Sequence, residues 1–170
     1  RKLLGQSALL GRRLVEGGLR TVLVRFKGWD HHESIARAMT YGFPPKLEAL
    51  DQAVTALHED LARRGLDERV TVVLASEFGR TPRINSRGGR DHWARLAPLL
   101  LYGGGLGAGK VIGQSDKNGG EPNSQPPDPG HLISTILRTV IDPGQLRLLS
   151  GIPQEITQLL DHAPIEGLGA

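Results

Sequence analysis

Apolar residues recur every three or four positions in some stretches of the chain and run consecutively in others, and this contrast predicts where helices and strands lie. Leu3, Leu10 and Leu14 share a helical face between Leu3 and Glu16, and Gly17-Gly18 supplies the stop. A longer stripe of Leu47, Leu50, Val54, Leu57 and Leu61 opens at Pro44-Pro45 and ends at Gly65. On its outer face Glu59 and Asp60 stand four residues before Arg63 and Arg64, spaced to pair. The β-branched run from Arg20 to Phe26 and the apolar runs from Arg69 to Ala75 and from Ala97 to Tyr102 read as strands, with a fourth short one at Lys110 to Gly113. Towards the end, Asp128 is placed to cap a helix with Pro129 at its first position, and Leu132, Ile133, Ile136, Leu137 and Val140 face inward. A short helix from Gln145 to Leu149 and one docked turn carrying Ile152, Ile156, Leu159 and Leu160 complete the prediction.

Strands separated by a helix of this length favour right-handed parallel units, so the expected class is α/β, a mostly parallel sheet flanked by helices. The 170 residues fit one domain with one core. The polar stretch 114–127, rich in Gly, Asn and Pro, is expected to be a surface loop within it.

Charge and composition narrow the chemistry. Basic residues exceed acidic ones by three and are spread along the chain, so a nucleic-acid partner is not indicated. No apolar run approaches the roughly 20 residues of a membrane-spanning helix, so no membrane partner is expected. Cysteine is absent, which excludes disulfides and thiolate ligands; any metal must be held by oxygen and imidazole. A local excess of arginine, Arg80, Arg83, Arg87, Arg90 and Arg95, suits an anionic group or simply keeps an exposed loop soluble.

Three polar clusters fall where the predicted strands end or begin, the usual place for ligands in an open α/β sheet. They are Asp30, His31 and His32; Ser76, Glu77 and Arg80; and Asp91 with His92. Carboxylates and imidazoles without thiolate suit zinc, manganese or magnesium with positions left for water or substrate. Asp30 and His32 are two apart, so on an extended segment their side chains share one side. Each residue also has a plainer reading: Asp30 as a turn or cap residue, His31 as a solvent-facing neighbour, Glu77 in a salt bridge, Asp91 and His92 as a hydrogen-bonded pair. His58 is expected at the surface, and His131 and His162 in structural positions. Gly104 to Lys110 has the spacing of a phosphate-binding loop, but Val111 stands where Ser or Thr is required.

The segments Gly28-Trp29-Asp30-His31-His32, Ser76-Glu77-Phe78-Gly79-Arg80-Thr81-Pro82, Gly89-Arg90-Asp91-His92-Trp93 and Tyr102-Gly103-Gly104-Gly105 together resemble an uncharacterised bacterial family of the alkaline-phosphatase-like and sulfatase-like superfamily. The resemblance covers nearly the whole chain. It implies a metal-dependent hydrolase-like domain acting on phosphate or sulfate esters, with Asp30, His32, Glu77 and His92 as metal ligands and Arg80 and Asp91 meeting the substrate. It further implies that the chain is the carboxy-terminal part of that domain, with the nucleophile and first metal-binding Asp upstream of Arg1. The start at Arg1 and the lone internal Met39 agree with a longer product. A small anionic ester is then the expected substrate; a non-catalytic scaffold that binds an anionic glycan or protein partner is the alternative.

Overall fold

α1 spans Lys2–Glu16, as its leucines predict. Gly18, at φ 97, turns the chain out of the helix: the Leu19 N–H reaches the Leu14 carbonyl at 3.0 Å and the Gly18 N–H the Val15 carbonyl at 2.9 Å. Two carbonyls that would otherwise lack partners are satisfied by this closure, which needs a residue at positive φ. The computed structural model describes residues 2–123 and 125–169. It divides the chain into two compact units, Arg1–Leu66 with Arg80–Trp93, and Asp67–Gly79 with Ala94–Ala170.

In the first unit, α2 (Ile35–Arg37) passes through a π-helical turn, Ala38–Gly42, into α3 (Phe43–Arg63). The helix thus starts upstream of Pro44-Pro45. Neither proline carries an N–H for the carbonyls of Thr40 and Tyr41, and the turn just before them widens: the Phe43 N–H reaches five residues back, to Ala38. α3 packs on α1 through Ala49, Ala53 and Leu61, which are buried, while Leu47 is half exposed. The seam is shifted from the predicted leucine stripe because alanines permit close approach there. Arg12 of α1 is buried in this seam between Glu16 and Asp60, with Nε 2.9 Å from the Asp60 carboxylate. A buried guanidinium persists when carboxylates face it from both helices.

In the second unit, β1 (Val72–Ala75) pairs antiparallel with β4 (Leu99–Tyr102), Val72 opposite Tyr102 and Ala75 opposite Leu99. Asp128 caps α4 (Pro129–Val140) as predicted, its carboxylate accepting the His131 N–H at 3.0 Å. Ser134 and Thr135, fully buried on α4, bind the tail: Ser134 Oγ donates to the His162 carbonyl and Thr135 Oγ1 accepts the Ile165 N–H, each at 2.7 Å. α5 (Pro143–Arg147) begins two residues earlier than expected because Asp142 caps it, and α6 (Gln154–Asp161) is the docked final turn. Leu160, with 2% of its surface exposed, anchors this core beside Ile165 and Leu168.

The parallel sheet is not there. Among the described residues the only sheets are two antiparallel pairs, β1 with β4 and β2 (Gly79–Arg80) with β3 (His92–Trp93). The α/β class, with its alkaline-phosphatase-like parallel sheet, is therefore corrected. Residues 20–26 form no strand and have no ladder partners, and Val22 and Val24 instead lie against Gly11 of α1. The strand expected at Lys110 to Gly113 is also unpaired, with Val111 almost wholly exposed. With no strand on the near side of α3, the crossover that a parallel pair requires has nothing to join. The described residues of the stretch 114–127 are mainly exposed, and a bridge between Ser115 and Pro122 folds 115–122 on itself. No helix among the described residues is long and apolar enough to cross a membrane.

Candidate metal centre

The residues of interest follow the unpaired run 20–26. Trp29 meets Phe26 edge to face (centroids 5.5 Å apart) and stacks on Phe43 at 5.6 Å, and His31 meets Phe43 edge to face at 4.8 Å. Trp29 and His31 are thus turned towards α3, and the alternate positions, Asp30 and His32, present their side chains elsewhere. His31 is accordingly part of an aromatic cluster and not the solvent-facing neighbour expected, with its Nε2 shut off from water.

A loop from Asn85 to Gly89 clasps this segment. The Arg90 N–H donates to the His31 carbonyl at 3.0 Å and the Ile35 N–H to the Gly88 carbonyl at 2.8 Å, with Glu33 and Gly88 forming a single antiparallel bridge. Gly89 is buried here, and a Cβ on it would lie 2.0 Å from the His32 carbonyl carbon. Ser34, the one non-glycine residue at positive φ (51) among those described, sits at the edge of the clasp. Such a conformation costs on the order of 1 kcal/mol and persists where neighbouring bonds fix it.

The clasp brings Asp30, His32 and His92 together, with one ligand atom from each inside a 4.8 Å group that could hold a metal ion. His32 Nε2 lies 3.0 Å from Asp30 Oδ1 and 3.0 Å from His92 Nε2, and His92 Nε2 lies 3.6 Å from Asp30 Oδ1. Arg80 Nη2 stands 2.5 Å from the same Asp30 oxygen, while its Nη1 donates to the Arg90 carbonyl. Asp91 lies on the far side of the His32 ring, its Oδ1 3.0 Å from Nδ1. Of the residues singled out in the sequence, Asp30, His32 and His92 are thus assembled, Arg80 touches the group through Asp30, and Asp91 touches it through His32. Glu77 is exposed, belongs to the second unit and is not a member of the group. Sequence reasoning passed over Asn85, and named Gly89 only as the first residue of the Gly89-to-Trp93 segment.

Both carboxylates are held below their ordinary value of 3.8. For Asp30 the foremost cause is the Arg80 hydrogen bond; for Asp91 it is the hydrogen bond from His32, then that from Asn85. A depressed folded value means that each carboxylate contributes its stabilisation in full above the ordinary value and loses it as pH falls through the lower, folded one. A carboxyl-carbon NMR titration is expected to give midpoints below 3.8 for both, with Arg80→Gln moving Asp30 back upward. A wild-type midpoint at or above 3.8 for Asp30 would contradict the Arg80 contact.

Residues 1–168 match a family described as proteins of unknown function (DUF1501), and the chain belongs to that family. No curated protein and no solved structure matches it.

Proposed function

We propose that Asp30, His32 and His92 hold a divalent ion, zinc or manganese before magnesium, and that the protein acts as a metal-dependent hydrolase-like domain on phosphate or sulfate esters. The convergence of one carboxylate oxygen and two imidazole nitrogens carries this reading. Bonds of about 2.0–2.1 Å to a tetrahedral ion separate its ligands by about 3.3 Å, close to the spacings of 3.0, 3.0 and 3.6 Å found. Two nitrogen donors favour zinc or manganese over magnesium, which prefers oxygen. When bound, such an ion would polarise a phosphoryl or sulfuryl oxygen and lower the pKa of a coordinated water. Arg80, a planar donor beside the cluster, supplies the charge that an anionic ester needs.

Isothermal calorimetry with zinc and manganese is expected to show uptake of one ion per chain, lost in Asp30→Ala and in His92→Ala. Turnover of aryl phosphates or sulfates that stops with chelator supports the hydrolase reading. Absence of uptake for zinc, manganese and magnesium alike would sink it. The second reading, a scaffold that binds an anionic glycan without catalysis, is favoured by the exposed Arg83 and Arg87. Metal uptake without turnover of any such ester, together with glycan binding lost in Arg83→Ala and Arg87→Ala, would select it.

A further inference from the structure

We infer that Asp91 and Asn85 are positioning residues that hold a hydrogen on Nδ1 of His32 and fix the ring's orientation, so that Nε2 is the nitrogen turned to the point shared with Asp30 and His92. The inference rests on the metal-site reading above and assigns Asp91 to the ring behind the site in place of the substrate contact expected for it. The contact with Asp91 falls on Nδ1 of His32, whereas Asp30 and His92 meet the same ring at Nε2. An ionised carboxylate can only accept, so the Asp91 contact calls for a hydrogen on Nδ1 and the Asp30 contact for one on Nε2, each at 3.0 Å; an ion seated among Asp30, His32 and His92 would take the place of the second and leave the first. A carboxylate behind a ligating imidazole is the usual means of holding such a ring.

Asn85 makes Asp91 a fixed acceptor. One Asn85 amide hydrogen goes to Asp91 Oδ1 at 2.9 Å, the oxygen that also receives His32 Nδ1, and Nδ2 donates again to the His32 carbonyl at 3.0 Å. The Asn85 Oδ1 accepts the N–H groups of Arg87 and Gly89, each at 2.9 Å. Both donor hydrogens and both acceptor lone pairs of one half-buried amide are therefore used, which leaves it a single orientation. Its oxygen builds the loop; its nitrogen aims the carboxylate and grips the backbone of the histidine that the carboxylate orients.

The division between oxygen and nitrogen separates positioning from folding. Asn85→Asp keeps the acceptor for Arg87 and Gly89 but removes both donations, while Asp91→Ala removes the acceptor for His32. Long-range proton–nitrogen NMR of the histidine ring, recorded without added metal, reads the tautomer directly. The wild type is expected to show a hydrogen on His32 Nδ1, and both variants, folded by circular dichroism, to show it on Nε2 alone, where Asp30 remains to accept it. With cobalt(II) as probe, the affinity is expected to fall about 10- to 100-fold in both, with an altered visible spectrum. Unchanged tautomer in both variants would overturn the inference, as would an altered tautomer with unchanged cobalt affinity. If the wild type takes up no cobalt, the metal reading fails, and the claim that His32 is aimed as a ligand falls with it. In that case a tautomer shift in the variants still distinguishes an orienting pair from an inert one.

Discussion

Gly89→Ala is expected to dismantle the candidate centre and to cost about 1–3 kcal/mol of stability, towards the upper end because the contact cannot relax. The added methyl would sit 2.0 Å from the His32 carbonyl carbon and 2.2 Å from both the His32 oxygen and the Glu33 nitrogen. All three are backbone atoms, so no side chain can swing aside, and the loop must lift away. Lifting it breaks the Arg90-to-His31 and Ile35-to-Gly88 hydrogen bonds and withdraws Asp91 and His92 from His32. Urea unfolding and zinc calorimetry on the variant measure the two consequences separately. A variant with wild-type stability and wild-type zinc uptake would show that the contact is not this close in solution.

Leu160→Ala should cost about 2–5 kcal/mol, because the side chain is 2% exposed and its loss leaves a cavity among α4, α6 and the tail. The same residue's carbonyl receives Arg138 Nη2 at 3.0 Å, so collapse into the cavity is resisted by a hydrogen bond that fixes the backbone. The loss should therefore lie towards the upper part of that range. Equilibrium urea denaturation checks it, and a change under about 1 kcal/mol would mean that the tail does not dock on α4 as described.

Local signals in the sequence translated well where one chain segment decides the outcome. Gly17-Gly18 and Gly65 ended their helices, and Asp128 with Pro129 started one, since caps depend on residues within a turn of each other. Strand pairing is a different matter. The apolar run from Arg69 to Ala75 marks a strand, but β1 is only half-buried, with Ala75 exposed, and nothing within the run selects a parallel neighbour over β4. The run from Arg20 to Phe26 carries strand-forming residues and remains unpaired. β-propensity describes a fit to a pleated surface, and supplies no partner.

The candidate centre was legible in part for the same reason. Asp30 and His32 were paired by their two-residue spacing, and the Gly28-to-His32 and Gly89-to-Trp93 segments were singled out by resemblance. That the group closes with His92, and that Glu77 is not a member of it, depends on a clasp between segments about sixty positions apart. Asn85 carries no chemical signature of its own. Its importance comes from four hydrogen bonds that exist only once the loop has closed.

Asp91 and His92 are consecutive, yet they meet His32 at opposite nitrogens of one ring. Neighbouring residues on an extended segment face opposite ways, and here that alternation straddles an imidazole. Surface hairpins ordinarily tolerate a residue gained or lost. In this one, a single insertion between Thr81 and Asp91 would bring Arg90 to the place of Asp91, and a single deletion would bring His92 there and Trp93 to the place of His92, so the length of the loop is as much a part of the site as the side chains are.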